Sequence, residues 1–263
     1  MQYGDYKVIT SADNERIKFL KKLRQKKYRK EHDCFTVENY AIIHDALASG
    51  FDFQALFVVE DFFNKYPEKA DFLIKNSQAK EKYLISEKLN KSFSNLDCPS
   101  GITAIYARKE NPINPNNSAL YLNGISDPGN LGTILRTALA FDFLNIIIDG
   151  GCADIYNPKT ISAAKDAIFK LNIFDDLDSS WLAVNKQEYC IVAADSNQGK
   201  APSSFKPNAK ICLVLGSESH GLSPNVADLA QERIKITISS AIESLNVSAA
   251  AAILMHEFRQ TNI

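Results

Sequence analysis

The chain has 263 residues, 45% of them apolar and 23% charged, with a net charge of −1. This is room for one large or two modest domains with proper cores, in proportions ordinary for a soluble globular protein. No apolar run approaches the roughly 20 residues of a membrane helix, the opening MQYGDYKVIT lacks the pattern of a secretory leader, and the overall charge announces no nucleic-acid partner. Five scattered cysteines (Cys34, Cys98, Cys152, Cys190, Cys212) form no CxxC or Cys/His spacing. Neither a disulfide framework nor a metal site is therefore expected, and a reducing cytoplasm is the default.

Charge is unevenly spread: residues 1–110 hold 19 Lys and Arg against 16 Asp and Glu, and residues 111–263 hold 11 against 15. Arg16–Lys30 carries nine cations and no acid, with Ile17, Leu20 and Leu23 at helical spacing. This predicts one helix with an inward stripe and a cationic surface, capped by Ser11, Asp13 or Asn14. A solvated helix face is the plain alternative, but an uncompensated run of this density suits phosphates, with Lys21, Lys22, Arg24, Lys26 and Lys27 as the RNA-binding candidates. A strand is expected at Cys34–Val37, a helix at Asn39–Ala48, a strand at Ala55–Val59, a helix at Asp61–Ser77 and a strand at Gly101–Tyr106. The alternation predicts a small α/β domain over 1–108. The polar RKENPINPNNS reads as a linker over 109–118.

From 119 to 263 the alternation is clearer. Strands are predicted at Ala119–Leu122, Asn145–Ile148, Tyr189–Ala194, Ile211–Leu215 and Ile234–Ile238, and helices at Asn130–Phe141, Lys159–Asp166, Asn225–Ala230 and Val247–Arg259. Strand runs with little alternation indicate a parallel sheet covered on both faces. Three stretches then stand out: NGISDPGNLGTILR (Asn123–Arg136), LVLGSESHGLS (Leu213–Ser223) and IKITISSAIESLNVS (Ile234–Ser248). Each sets Gly, Ser or Asn and an ionisable residue just past an apolar run, as a backbone does where it approaches a ligand at strand ends.

In the first, Asp127 and Pro128 start a helix, and Gly129 and Gly132 in its first turns cost about 1 kcal/mol each against Ala, which argues for a ligand nearby. Asn130 could hold a loop or a phosphate. Arg136 lies off the buried face, where a surface ion pair is the plain reading. In the second, Glu218 is the lone carboxylate, and His220 reads as an exposed loop histidine rather than a base. In the third, Ser244 or Asn246 caps the last helix. GxGxxG, GxxxxGK[ST] and Gly-x-Ser-x-Gly patterns are missing, which removes dinucleotide, P-loop and hydrolase-elbow readings.

DPGNLGTILRTALAF, LVLGSESHGLS and ITISSAIESLNVSAAAAILMHE resemble, in order, motifs 1, 2 and 3 of the SpoU (TrmH-type) RNA 2′-O-ribose methyltransferases of the SPOUT superfamily. The basic N-terminal part resembles the small substrate-binding domain that many members carry. The resemblance implies an α/β fold: a parallel-sheet SPOUT domain with a C-terminal trefoil knot, S-adenosylmethionine as cofactor, and a homodimer with active sites near the subunit interface. It implies methyl transfer to a ribose 2′-hydroxyl of RNA, ribosomal RNA first and transfer RNA second, with an RNA-binding protein of degenerate cofactor site as the alternative. By motif position it makes Arg136, Asn130, Glu218, Ser244 and Asn246 the catalytic set. Leu215, Gly216, Ser217, Ile236, Leu245 and Asn246 become the cofactor-binding set. Three departures accompany it: Asn39 stands where a Gly is usual, Thr237 where Pro is common, and Ser240 where Gly often stands.

Overall fold

The computed structural model describes residues 6–108, 112–206 and 210–259. The chain divides into two compact units, Met1–Lys109 and Glu110–Ile263.

The first unit begins with β1 (Lys7–Ile9), a strand not expected from the sequence, followed by α1 (Glu15–Lys22) capped by Asn14, whose Oδ1 accepts from Arg16 N at 2.9 Å. The single helix expected over Arg16–Lys30 is two: α1 stops at Lys22 and α2 spans Lys26–Glu31. The break is held by Arg29, 5% exposed, whose Nη1 donates to Leu23 O at 2.7 Å and so satisfies a carbonyl at the helix end. After β2 (Cys34–Val37), α3 (Tyr40–Ala48) is capped by Asn39, whose Oδ1 accepts from Ala41 N and Ile42 N. That accounts for Asn at this position. β3 (Ala55–Val59) is wholly buried.

The helix expected over Asp61–Ser77 is also two, α4 (Glu60–Lys65) and α5 (Pro67–Asn76). Pro67 cannot continue a helix and drives Tyr66 out of helical backbone, to φ −134° and ψ 63°. β4 (Glu81–Ile85) and α6 (Glu87–Phe93) were not anticipated, and β5 covers Ile102–Ala107. The sheet order is β1-β4-β3-β5-β2, with β1/β4 and β3/β4 parallel and the pairs made by β5 antiparallel.

The second unit runs β6 (Ala119–Asn123), α7 (Pro128–Ala140), β7 (Asn145–Ile148), α8 (Pro158–Ala164), α9 (Ala167–Lys170), β8 (Asn172–Phe174), α10 (Ser180–Asn185), β9 (Cys190–Ala194), β10 (Ile211–Gly216), α11 (Pro224–Ala227), β11 (Glu232–Ile234) and α12 (Val247–Phe258). The sheet is parallel throughout, in the order β11-β9-β10-β6-β7-β8. Its central strands are buried on both faces, which is why they read as continuous apolar runs. β11 ends at Ile234 instead of reaching Ile238. Beyond it, Ile236 and Ile238 line a cavity rather than pair in the sheet.

The later half of the expected linker is fixed. Asn145, wholly buried, donates from Nδ2 to Asn114 O at 2.8 Å and accepts from Asn114 N at 3.1 Å. Residues 109–111 lie outside the described residues. Among the described residues no helix is long and apolar enough to cross a membrane.

Candidate functional site

The site grows from strand ends. β6 and β10 are paired so that Leu122 and Asn123 lie beside Leu215 and Gly216, and Ala194 of β9 lies beside Ile234 of β11. The carboxyl ends therefore open on one side, where ligands enter sheets of this kind. Asn123 ties two of these ends: its Oδ1 accepts from Ser223 N at 2.7 Å and its Nδ2 donates to Asp149. Asp149 also accepts from the N–H groups of Gly124 and Gly151, both at 3.0 Å.

An open cavity of about 160 Å³ lies at the ends of β9, β10 and β11. Of the expected cofactor residues, Leu215, Gly216, Ser217, Ile236 and Leu245 line it, and so do Glu218 and Ser244. Gly216 is required there. A Cβ on it would lie 2.5 Å from Gly221 O and Leu222 N, both fixed backbone atoms. The loop returns on itself through Ser217 N to Gly221 O at 3.0 Å and Gly221 N to Ser217 O at 2.9 Å. Among the described residues, the N–H groups of Ile236, Ile238 and Leu245 make no hydrogen bond, although all three residues line the cavity. Free backbone donors around an apolar lining fit a ligand held mainly by main chain.

The three motif stretches meet through one carboxamide. Asp127 caps α7 by accepting from Asn130 N at 2.7 Å. Asn130 Nδ2 donates to Glu218, and its Oδ1 accepts from Asn246 Nδ2 at 3.0 Å. Asn246 caps α12, accepting from Ser248 N at 2.8 Å and Ser248 Oγ at 2.6 Å. Asn130, Glu218 and Asn246 are thus brought together.

Arg136 is not among them. It is exposed on α7, does not line the cavity, and has no hydrogen-bond or ion-pair partner among the described residues. It follows Asn130 by about 9 Å along the helix axis and about 120° around it, so the two occupy different faces. Gly132 does not serve a ligand either: a Cβ there would lie 2.7 Å from Ala163 Cβ and 3.0 Å from Ala164 N, so it lets α7 pack closely on α8. His220 is exposed, with Nδ1 2.8 Å from Ser219 Oγ. Thr237 and Ser240 are exposed and outside the lining.

Sequence reasoning missed Ala194, Asp195 and Ser196, which line the same cavity. The signal was there: a polar pair just past an apolar strand. Burial alone would raise the Asp195 carboxyl. The N–H groups of Asn197 and Gln198 and the Arg233 guanidinium, 3.0 Å from Oδ2, outweigh it and hold the carboxyl below its ordinary value. Burial pushes the Cys152 thiol up to about 12 and that of Cys34 up to about 11, the behaviour of apolar core groups. Among the described residues no group of His, Cys, Asp and Glu is placed to hold a metal ion.

In the first unit, Arg16 pairs with Glu81, Lys18 with Glu15, and Arg29 is buried. Lys22, Arg24, Lys26 and Lys27 are exposed and Lys21 is partly so. Arg24 Nε donates to Asn95 Oδ1 at 3.2 Å, and the Nζ atoms of Lys22 and Lys27 lie 5.8 and 5.7 Å from the Tyr28 ring centroid.

Residues 117–256, more than half of the chain, match the SpoU rRNA Methylase family. The chain belongs to this family. Residues 14–104, in the unit with the cationic helices, match the MRM3-like substrate binding domain. The chain is 28% identical over 254 residues to the Bacillus subtilis 23S rRNA (guanosine(2553)-2′-O)-methyltransferase RlmP, covering 96% of this chain and 99% of that one. It is 25% identical to the mitochondrial rRNA methyltransferase 3 of Xenopus laevis, over 96% of this chain and 75% of the relative. The solved structure of an AdoMet-bound rRNA methyltransferase from Sinorhizobium meliloti superposes with a TM-score of 0.84 at 25% identity, over 99% of this chain and 100% of that one.

Proposed function

We propose that this SpoU-family chain transfers a methyl group from S-adenosylmethionine to a ribose 2′-hydroxyl of ribosomal RNA, in the cytoplasm and as a homodimer. The observation that carries this reading is the meeting of three separated stretches: the second and third line one cavity, and the first, which does not line it, is tied to both through Asn130, bonded to Glu218 and Asn246. The relatives' activity on ribosomal RNA supports the choice of substrate.

The cavity fits the cofactor in kind. Its enclosed part takes a flat base against Leu215, Ile236, Ile238 and Leu245, with free main-chain donors at hand, and the rest of the molecule would extend through the mouth. S-adenosylmethionine supplies an already activated methyl group on a sulfonium. The protein's task is then alignment and stabilisation of charge on the attacking oxygen. Asn130 holds the Glu218 loop and the α12 cap in one arrangement, so that both walls of the site are fixed together. Arg136 is a permanently charged guanidinium and a poor proton acceptor. Its role in this reading is to stabilise the developing alkoxide beside the neighbouring phosphate, while the hydroxyl proton passes to phosphate or water. Because it lies off its own cavity's lining, it would act at a site completed by the second subunit. The trefoil threading of the C-terminal segment belongs to the same reading.

The test is incubation of the protein with labelled S-adenosylmethionine and unmodified ribosomal RNA, followed by mapping of 2′-O-methyl positions. One methylated nucleotide is expected. Absence of incorporation into ribosomal RNA overturns the substrate assignment, and absence of any heat on titration with S-adenosylmethionine overturns the activity.

A further inference from the structure

The first unit contains a second cavity, of about 310 Å³, between α4, α6 and the turn before β5. Its lining combines Phe62 and Tyr66 with Asn90, the Lys65–Asp61 ion pair, and Lys91 and Glu87, which carry opposite charges. Asn90 is the unusual member. It is 4% exposed, yet its carboxamide makes no hydrogen bond with any described residue. The carboxamide is open to the cavity it lines, so its donor and acceptor are at the disposal of whatever enters there. Glu87 and Asn90 are three apart on α6 and so face the same way. Glu87 is exposed at the mouth while Asn90 lies deeper. Tyr66 is 43% exposed, with Lys69 Nζ 4.1 Å from its ring centroid and the buried Phe62 ring 5.3 Å away, so a base would meet the part of Tyr66 that faces the cavity.

We propose that this cavity receives one unstacked RNA base bearing an exocyclic amino group, set against Tyr66 and Phe62 and read by Asn90 and Glu87. The inference rests on the RNA-directed reading above and adds a base-reading subsite to it. A neutral pocket with an aromatic wall suits a base rather than a phosphate. Single-stranded RNA is recognised by splayed bases on aromatic rings with hydrogen bonds to their edges. The carboxylate of Glu87 accepts from an amino group and repels a carbonyl at the same place, which favours adenine and cytosine over uracil. Lys91 at the rim would meet a flanking phosphate, whereas Lys65 is held by Asp61, its Nζ 2.5 Å from Oδ2. The neighbouring cavity around Val8, Glu60 and Ser86 offers only carboxylates as charged groups and lacks this balance.

The test is fluorescence anisotropy of the full-length protein with labelled single-stranded 8-mers of adenosine, cytidine or uridine at fixed salt. The A and C oligomers are expected to bind about fivefold or more tighter than the U oligomer. Asn90→Leu should erase that preference while leaving S-adenosylmethionine binding and the melting temperature near wild type. Glu87→Gln, at an exposed position that does not threaten folding, should reduce the preference as well. Equal binding of all three oligomers by wild type, or an unchanged preference in both variants, overturns the proposal. Methylation of ribosomal RNA without any base preference removes only this pocket. Base preference without methyl transfer supports the pocket and removes the proposed activity.

Discussion

Replacing Gly216 by Ala tests whether the shape of the cofactor cavity is set by backbone against backbone. The added Cβ would lie 2.5 Å from Gly221 O and Leu222 N, neither of which is the movable end of a side chain. Overpacking of this kind costs about 1–3 kcal/mol. The loop must also open, which strains the two main-chain bonds between Ser217 and Gly221, each worth about 1 kcal/mol net. The expected loss is about 2–4 kcal/mol, or roughly 4–16 °C in Tm for a chain of this size. Calorimetry should show that shift together with loss of S-adenosylmethionine binding, because the displaced loop carries Ser217 and Glu218 into the cavity. Gly150→Ala, where a Cβ meets nothing within 4 Å, is the control and should change neither quantity. A Gly216→Ala protein that melts within about 2 °C of wild type and binds the cofactor normally refutes the reasoning.

Arg136→Ala should bind S-adenosylmethionine as wild type does and lose nearly all methyl transfer, since the side chain is exposed, lies outside the cavity lining and makes no hydrogen bond or ion pair with the described residues. Retained turnover would remove Arg136 from the mechanism. Neutralising Lys21, Lys22, Arg24, Lys26 and Lys27 should flatten the salt dependence of RNA affinity, each lost phosphate contact taking about 0.7 from the log–log slope. An unchanged slope would show that phosphates are met elsewhere. Asp195 has a depressed carboxyl, so its contribution to stability is complete above the unfolded value near pH 4 and is lost as pH falls through the lower folded value. The stability gap between wild type and Asp195→Asn should therefore be constant from about pH 8 to 5 and shrink below about pH 4. A gap that persists undiminished at pH 2 argues against a depressed Asp195 carboxyl.

How much of this was visible in the residues depends on where the determining contact lies. α7 was legible because Asp127, Pro128 and the apolar stripe are all local. The split at Pro67 was also local and was overlooked. The break at Leu23 was not legible, since it has no Gly or Pro and depends on Arg29 turning back onto Leu23 O. β4 hid because its Lys82 is buried, donating to Ser77 O at 3.3 Å, an arrangement that reads as surface in one dimension. The alternation of Ile234, Ile236 and Ile238 fits a strand equally well as a cavity wall, and only the neighbouring chain decides. The glycines of α7 were rightly marked as costly, but Gly132 answers to α8 rather than to a ligand. The cap of α7, Asp127, was legible because capping is a property of a few consecutive residues, whereas the cap of α12 stayed open between Ser244 and Asn246 and falls to Asn246. Asp195 and Ser196 follow the apolar β9 just as the motif residues follow theirs, so their place at the cavity is legible by the same local pattern.

Asn145 bears on where the chain is divided. Its amide is sealed inside the second unit and reaches Asn114, so the methyltransferase half begins ahead of its first strand. Anyone separating the halves at Ala119 would strip a buried amide of its neighbour and recover a fragment weakened at its own root, whereas a cut before Asn114 leaves that anchor in place.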